Sequence, residues 1–311
     1  MVPLFRKISI LLTCMAGLAF FSVNGGERPF VIGGLSCELG NNLFQIAATS
    51  ALAWDHQAKP YFPDLVQIVD NGMPLNYAHV FFRCSSKTPK GSIQYQWRLP
   101  TSSNFCYTPI PYKPNMKVQE STYQSEKYFV HHRARILHLF APLPEDLTYI
   151  KAKYGTILDN PCTVGVQIRW FGRKRDEPWN TYLVQYGHDY LSQAVKLFPE
   201  DALFIVSSNN EVFARENFPK DLKNVIFLQN EPHYIDLYVL SLCKHQIISN
   251  SSFGWWAAWL NQNPEKIVVT PQEWIDPTWH HLTPVKDVWP ESWIKINAKW
   301  GKPNGDPVSI F

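Results

Sequence analysis

Between Thr163 and Thr270 short runs of buried-type residues alternate with stretches of helical spacing, and no other feature of the chain narrows its fold as much. TVGVQIR at 163–169, ALFIVSS at 202–208, VIFLQ at 225–229, QIIS at 246–249 and KIVVT at 266–270 read as strands, the last closing the series. Between them lie three stripes at three- and four-residue intervals, each one face of a helix. They are Leu191, Ala194, Val195 and Phe198; Ile235, Tyr238, Val239 and Leu242; and Phe253, Trp256, Ala257 and Leu260. Strands joined through helices run parallel, and a parallel sheet buries both faces under helices. The predicted class is α/β.

The first half repeats the pattern once. FVIGG at 30–34 is a strand, and Phe44, Ala47, Ala48 and Ala51 give the helix that follows it. Residues 60–120, rich in Pro, Ser and aromatics, carry no assignable period. A helix is predicted over 125–140, and 141–160 is read as the crossing between domains. A chain of 311 residues accommodates two domains, placed at 27–155 and 156–311.

Residues 1–25 read as a leader. Arg6 and Lys7 precede an apolar run from Ile8 to Val23, shorter than the roughly twenty residues a membrane helix needs. Small residues near Gly25 suit a cleaved signal peptide, and an uncleaved signal anchor is the rival reading, with membrane attachment through the apolar run. Either way the body is exported, which predicts the secretory pathway: a Golgi-like lumen if the host is eukaryotic, the exterior if the leader is cleaved. Two of the three excess positive charges are Arg6 and Lys7, so the remaining charge does not suit a nucleic-acid partner. Cys37, Cys84, Cys106, Cys162 and Cys243 follow the leader with no Cys-x-x-Cys pair, which argues against a thiolate metal site. Cys84 with Cys106 is the candidate disulfide, and Cys162 and Cys243 read as buried thiols. The many Trp and Tyr rings suit sugar faces as well as ordinary core.

Ligands of such sheets bind at the carboxyl ends of the strands, where helix starts offer free N–H groups to anions. Gly40, Asn41 and Asn42 open one helix; Ser249 to Ser252 lie between a strand and another; Arg169 ends TVGVQIR. Taken singly, each has a plain structural reading: a turn needing positive φ, an N-cap, an exposed strand-end cation. Gly33, Gly34 and Gly40 lack the Gly-x-Gly-x-x-Gly spacing of a nicotinamide enzyme.

In combination these stretches resemble glycosyltransferase family 11, the galactoside α-1,2-fucosyltransferases. LGNNLFQIAATSALA at 39–53 looks like the family's Gly-Asn-Gln signature, and VGVQIRW at 164–170 falls where the family has His-x-Arg-Arg-x-Asp. FIVSSNNEVFARENF at 204–218 is similar to its Ser-Asn segment, and IDLYVLSLCKHQIISNSSFGWWAAWLN at 235–261 matches its Asp-Leu, Ser-x-Cys and Ser/Thr-Phe-x-x-Trp-Ala elements in order. The resemblance implies a GT-B-like fold, two Rossmann-like domains facing a cleft, and an inverting transfer of L-fucose from GDP-β-L-fucose to the 2-hydroxyl of a β-galactoside at the end of a glycan. It implies that Arg169 grips the diphosphate, that Gln167, Ser208, Asn209, Asn250, Ser251 and Ser252 bind the donor, and that Gly40, Asn41 and Asn42 line the opposite wall.

The chain departs from the family pattern at Gln167, in place of His, and at Trp170, in place of the second Arg. The next acids are Asp176 and Glu177, after a basic insertion of Arg173, Lys174 and Arg175, and these two are the candidate catalytic base, with Asp236 behind them. No Asp-x-Asp occurs, so no metal cofactor is expected. The departures also keep open a protein that binds glycan or GDP-sugar without turnover. Asn250-Ser251-Ser252 is a glycosylation sequon, expected to be unused inside a cleft.

Overall fold

The computed structural model describes residues 28–172 and 181–303. The leader, the basic insertion with Asp176 and Glu177, and the last eight residues lie outside it.

Four short parallel strands form the first sheet: β1 (Phe30–Gly33), β2 (Lys59–Tyr61), β3 (Tyr95–Trp97) and β4 (Met116–Val118), in the order β2-β1-β4-β3. Helix α1 (Leu39–Asp55) follows β1 directly. It is buried nearly all round, because it lies between this sheet and the second half of the chain. Short helices α2 (Asp64–Gln67) and α3 (Met73–His79) follow β2. The predicted helix over 125–140 is broken into 3₁₀ turns and α4 (Arg133–Leu139), and the predicted crossing is itself a helix, α5 (Pro144–Leu158).

The second sheet is built from β5 (Thr163–Ile168), β7 (Leu203–Ser208), β8 (Val225–Phe227), β9 (His245–Ile248), β10 (Val268–Pro271) and β11 (Ile294–Ile296), all parallel. Strands β6 (Gln185–Tyr186) and β12 (Trp300–Gly301) pair separately. KIVVT therefore does not close the series, since β11 adds on outside β10 through a loop rather than a helix and left no helical period to read. The connecting helices are α6 (His188–Ala194), α7 (Glu211–Asn217), α8 (His233–Leu242) and α9 (Ser252–Leu260). Alternate residues of each strand feed two different cores. Phe204, Val206, Ile247 and Val269 pack with Tyr190, Leu191 and Ala194 of α6, whereas Ile205, Ile248 and Val268 pack with α8 and α9. Both faces are thus covered, as a parallel sheet requires. Leu242, read as part of a buried stripe, is exposed at the end of α8.

The fold is α/β and GT-B-like, two parallel sheets whose helices meet at a cleft. The halves are joined by an aromatic core: Phe44 of α1 lies 4.5 Å from Trp255, and Phe129 stacks on Trp256 at 5.3 Å. Trp255, Trp256 and Trp259 are each at most 2% exposed, so these tryptophans are core and no sugar platform. All five described cysteines are free, which overturns the Cys84–Cys106 disulfide; Cys243 is buried and Cys162 half-buried. No helix among the described residues is long and apolar enough to cross a membrane.

Candidate active site at the sheet's switch point

The second sheet runs β11-β10-β9-β5-β7-β8. The chain starts at β5, moves outward through β7 to β8, then returns to β9 on the other side of β5. The loops leaving β5 and β9 therefore part company, opening the crevice in which doubly wound sheets bind their ligands. Arg169 leaves β5 there and Ser249–Ser252 leave β9. The two loops are tied together: Ser249 Oγ donates to Gln167 Oε1 at 2.6 Å and accepts from the Arg169 amide at 3.0 Å.

The start of α1 closes the crevice from the first half of the chain. A β-carbon on Gly40 would stand 2.6 Å from the Phe253 amide nitrogen and 2.7 Å from the Ser252 carbonyl carbon. Gly40 is therefore required for the contact between the starts of α1 and α9. It is helical, and the left-handed residue of the turn is Cys37, with φ 65°. Neither Glu38 nor Ser251, the N-caps of α1 and α9, makes a side-chain cap bond, so two helix starts without side-chain caps line one cavity. The resulting cavity is about 660 Å³, the size of a small-molecule site.

Of the residues predicted from sequence, Arg169, Gln167, Ser208, Asn209, Asn250, Ser251, Ser252, Gly40 and Asn41 all line this cavity. Asn42 does not: it is fully buried, its amide donating to Ser36 O and Gln45 Oε1. Asp176 and Glu177 lie outside the described residues. Several lining side chains are committed to the protein itself. Asn250 donates to Val184 O and Trp274 O, both at 3.0 Å, which also withholds it from glycosylation, and Asn209 is bonded to both the N–H and the C=O of Trp170. The Arg169 guanidinium, 29% exposed, has Glu38 Oε2 at 3.5 Å.

Sequence reasoning missed Glu38, Gln124, Glu231 and His233. Gln124 donates to Asn41 Oδ1 and accepts from Trp274 Nε1, each at 2.9 Å, a buried bridge between the two walls. A lone glutamine between the periodless stretch 60–120 and the helix predicted over 125–140 gave no signal. Asp236, at the start of α8, accepts from Ser207 Oγ at 2.6 Å, while its Oδ1 is buried without a partner. Burial, only partly opposed by Ser207, raises its pKa from 3.8 to about 6. Glu231 goes the other way. Burial pushes it up, but hydrogen bonds from Lys153, Tyr154 and Tyr149 together outweigh burial and hold it below its usual range.

The family model described as Glycosyl transferase family 11 matches residues 93–297, which include β5 to β11 and the loops leaving β5 and β9 but not the start of α1. The chain belongs to glycosyl transferase family 11. The O-antigen biosynthesis glycosyltransferase WbnK of Escherichia coli is 30% identical over 170 residues, 50% of this chain and 54% of that protein. An alpha-1,2-colitosyltransferase of Escherichia coli is 25% identical over 190 residues, 56% of this chain and 60% of that protein. The chain thus spans a little over half the length of these two curated relatives. Galactoside alpha-(1,2)-fucosyltransferase 2 of Oryctolagus cuniculus is 24% identical over 284 residues, 85% of this chain and 76% of that protein. In this family 11 chain the departure at Gln167 has a structural use, since that amide holds Ser249 rather than facing open solvent.

Proposed function

We propose that this chain is an inverting fucosyltransferase that moves L-fucose from GDP-β-L-fucose to the 2-hydroxyl of a β-galactoside, working in the secretory pathway to which its leader points. The observation that carries this reading is the meeting of Arg169 with the starts of α1 and α9 at one switch-point cavity, a cationic and amide-rich cradle suited to a diphosphate. The names of the two α-1,2-transferases among the relatives support the linkage. The acceptor oxygen attacks the anomeric carbon as the bond to the β-phosphate oxygen breaks. The Arg169 fork and the helix amides take up the charge growing on departing GDP. In this reading the cations are the protein's own and no metal is needed.

Asp236 reads the guanine. A buried carboxylate with a free oxygen is the complement of the N1–H and N2–H₂ edge, and in Asp236→Ala those donors lose their acceptor. GDP affinity is expected to fall about 10- to 100-fold in the variant, measured by calorimetry without acceptor. Affinity in the parent protein rises with pH as Asp236 ionises through about 6. The stability effect has the opposite sign: a carboxyl whose folded pKa lies above its unfolded value contributes stability below pH 3.8, lost as pH climbs to about 6. Unchanged GDP affinity with a loss confined to kcat would instead make Asp236 the base.

The acceptor proton needs a carboxylate. Of those lining the cavity among the described residues, Glu231 is held by three donors and Asp236 by the nucleotide, leaving Glu38 beside Arg169. Glu38→Gln is expected to slow turnover without weakening GDP binding. Full turnover in that variant would move the role to Asp176 or Glu177. The reading as a whole is tested by offering GDP-fucose and other GDP-sugars with a panel of β-galactosides. Release of GDP only with a galactoside present supports transfer. GDP affinity with no release under any pairing supports the alternative, a binding protein that kept the fold, which the changes at Gln167 and Trp170 favour.

A further inference from the structure

At the far end of α1 from the cleft, Asp55 receives two consecutive histidines from the turn Val130–His132. His131 Nε2 lies 3.1 Å from each Asp55 oxygen, and His132 Nε2 lies 2.7 Å from Oδ1. These residues are 76 and 77 positions apart in sequence, so the cluster joins the end of α1 to the segment leading into α4. Among the described residues, the ion pairs of Asp55 are these two histidines and no Lys or Arg. The neighbouring cation, Arg135, instead lies over the Trp54 ring at 3.8 Å, and Trp54 meets the His132 ring edge-on at 5.3 Å. One ligand is thereby braced by packing while the carboxylate stays free of competing cations.

We propose that Asp55, His131 and His132 form a Zn²⁺ site. The three ligand atoms lie within 4.8 Å of one another, and in a tetrahedral zinc centre neighbouring ligands stand about 3.3 Å apart, so small outward shifts from the present spacing admit the ion. Two imidazoles and one carboxylate suit zinc, whereas calcium and magnesium call for oxygen donors throughout. Asp55 and His131 are exposed and His132 half-buried, which gives the ion a path in and leaves its fourth position to water. None of the three lines the cleft, so the ion serves as a cross-link between α1 and the 130–139 segment, independent of the transfer reaction.

The test uses tag-free, chelator-treated full chain. Zinc titration by calorimetry is expected to show one ion per chain and a zinc-dependent rise in Tm. Co²⁺ in its place is expected to give visible absorption bands of a four-coordinate N/O centre. Both responses should be lost in His131→Ala and in His132→Ala, with the metal-free Tm of each close to the parent's, because half-exposed His–Asp pairs contribute little. The proposal is overturned by a parent protein that binds neither ion, or by variants, Asp55→Asn included, that bind as the parent does. If either alanine variant misfolds, the Co²⁺ spectrum of the parent decides by itself, since its bands report the ligand set directly.

Discussion

Arg169→Ala is expected to lower GDP release from GDP-fucose by about 10²–10³-fold, the loss typical of removing one group that stabilises charge in a transition state. The same change should move Tm little. The side chain is 29% exposed and pairs at 3.5 Å with a Glu38 that is 64% exposed, and ion pairs of that kind contribute little to stability. Arg169→Lys should recover only a fraction of the activity, because an ammonium supplies a point charge where the guanidinium supplies two parallel donors. The split should appear in kcat more than in KM, since the charge on the β-phosphate oxygen grows only as the glycosidic bond breaks. Full activity in the alanine variant would remove Arg169 from the reaction and the cleft reading with it.

The second sheet was legible because its strands are buried on both faces and its helices carry apolar residues at helical spacing. Continuous apolar runs then alternate with three- and four-residue stripes, as in TVGVQIR followed by Leu191 and Ala194. The first sheet was legible only at β1 and α1. Strands β2, β3 and β4 are three residues each, too short to show a period, and Pro60 stands within β2. Arg169 and Ser249–Ser252 could be placed because strand ends and helix starts are marked in the sequence, and topology brings those particular ends together. Asn42 was misplaced because a helix start does not reveal which way each side chain faces. Gln124 and Glu38 depend on contacts across the cleft, for which neighbouring residues carry no trace. The role of Gly40 was misread for the same reason. Glycine before a helix suggests a turn, whereas here the missing side chain makes room for a second helix.

That contact gives the other large effect. In Gly40→Ala two terms oppose one another: alanine favours the helix by up to about 1 kcal/mol, and overpacking a tight contact costs about 1–3 kcal/mol. The new β-carbon meets backbone atoms of Ser252 and Phe253 at 2.6–2.7 Å, and backbone cannot swing aside as a flexible side chain would. The cost should therefore exceed the gain, and Tm should fall. Moving apart is the only relief open to α1 and α9, and their starts both line the cavity. A displacement on the order of 1 Å at a reacting centre lowers the rate about 10²-fold. Turnover should thus drop much further than stability does, with GDP affinity reduced as well because in the proposed reading both helix ends face the nucleotide. Gly40→Ala with parental Tm and parental turnover would mean that the two helix starts do not touch, and that the cradle for the diphosphate is built some other way.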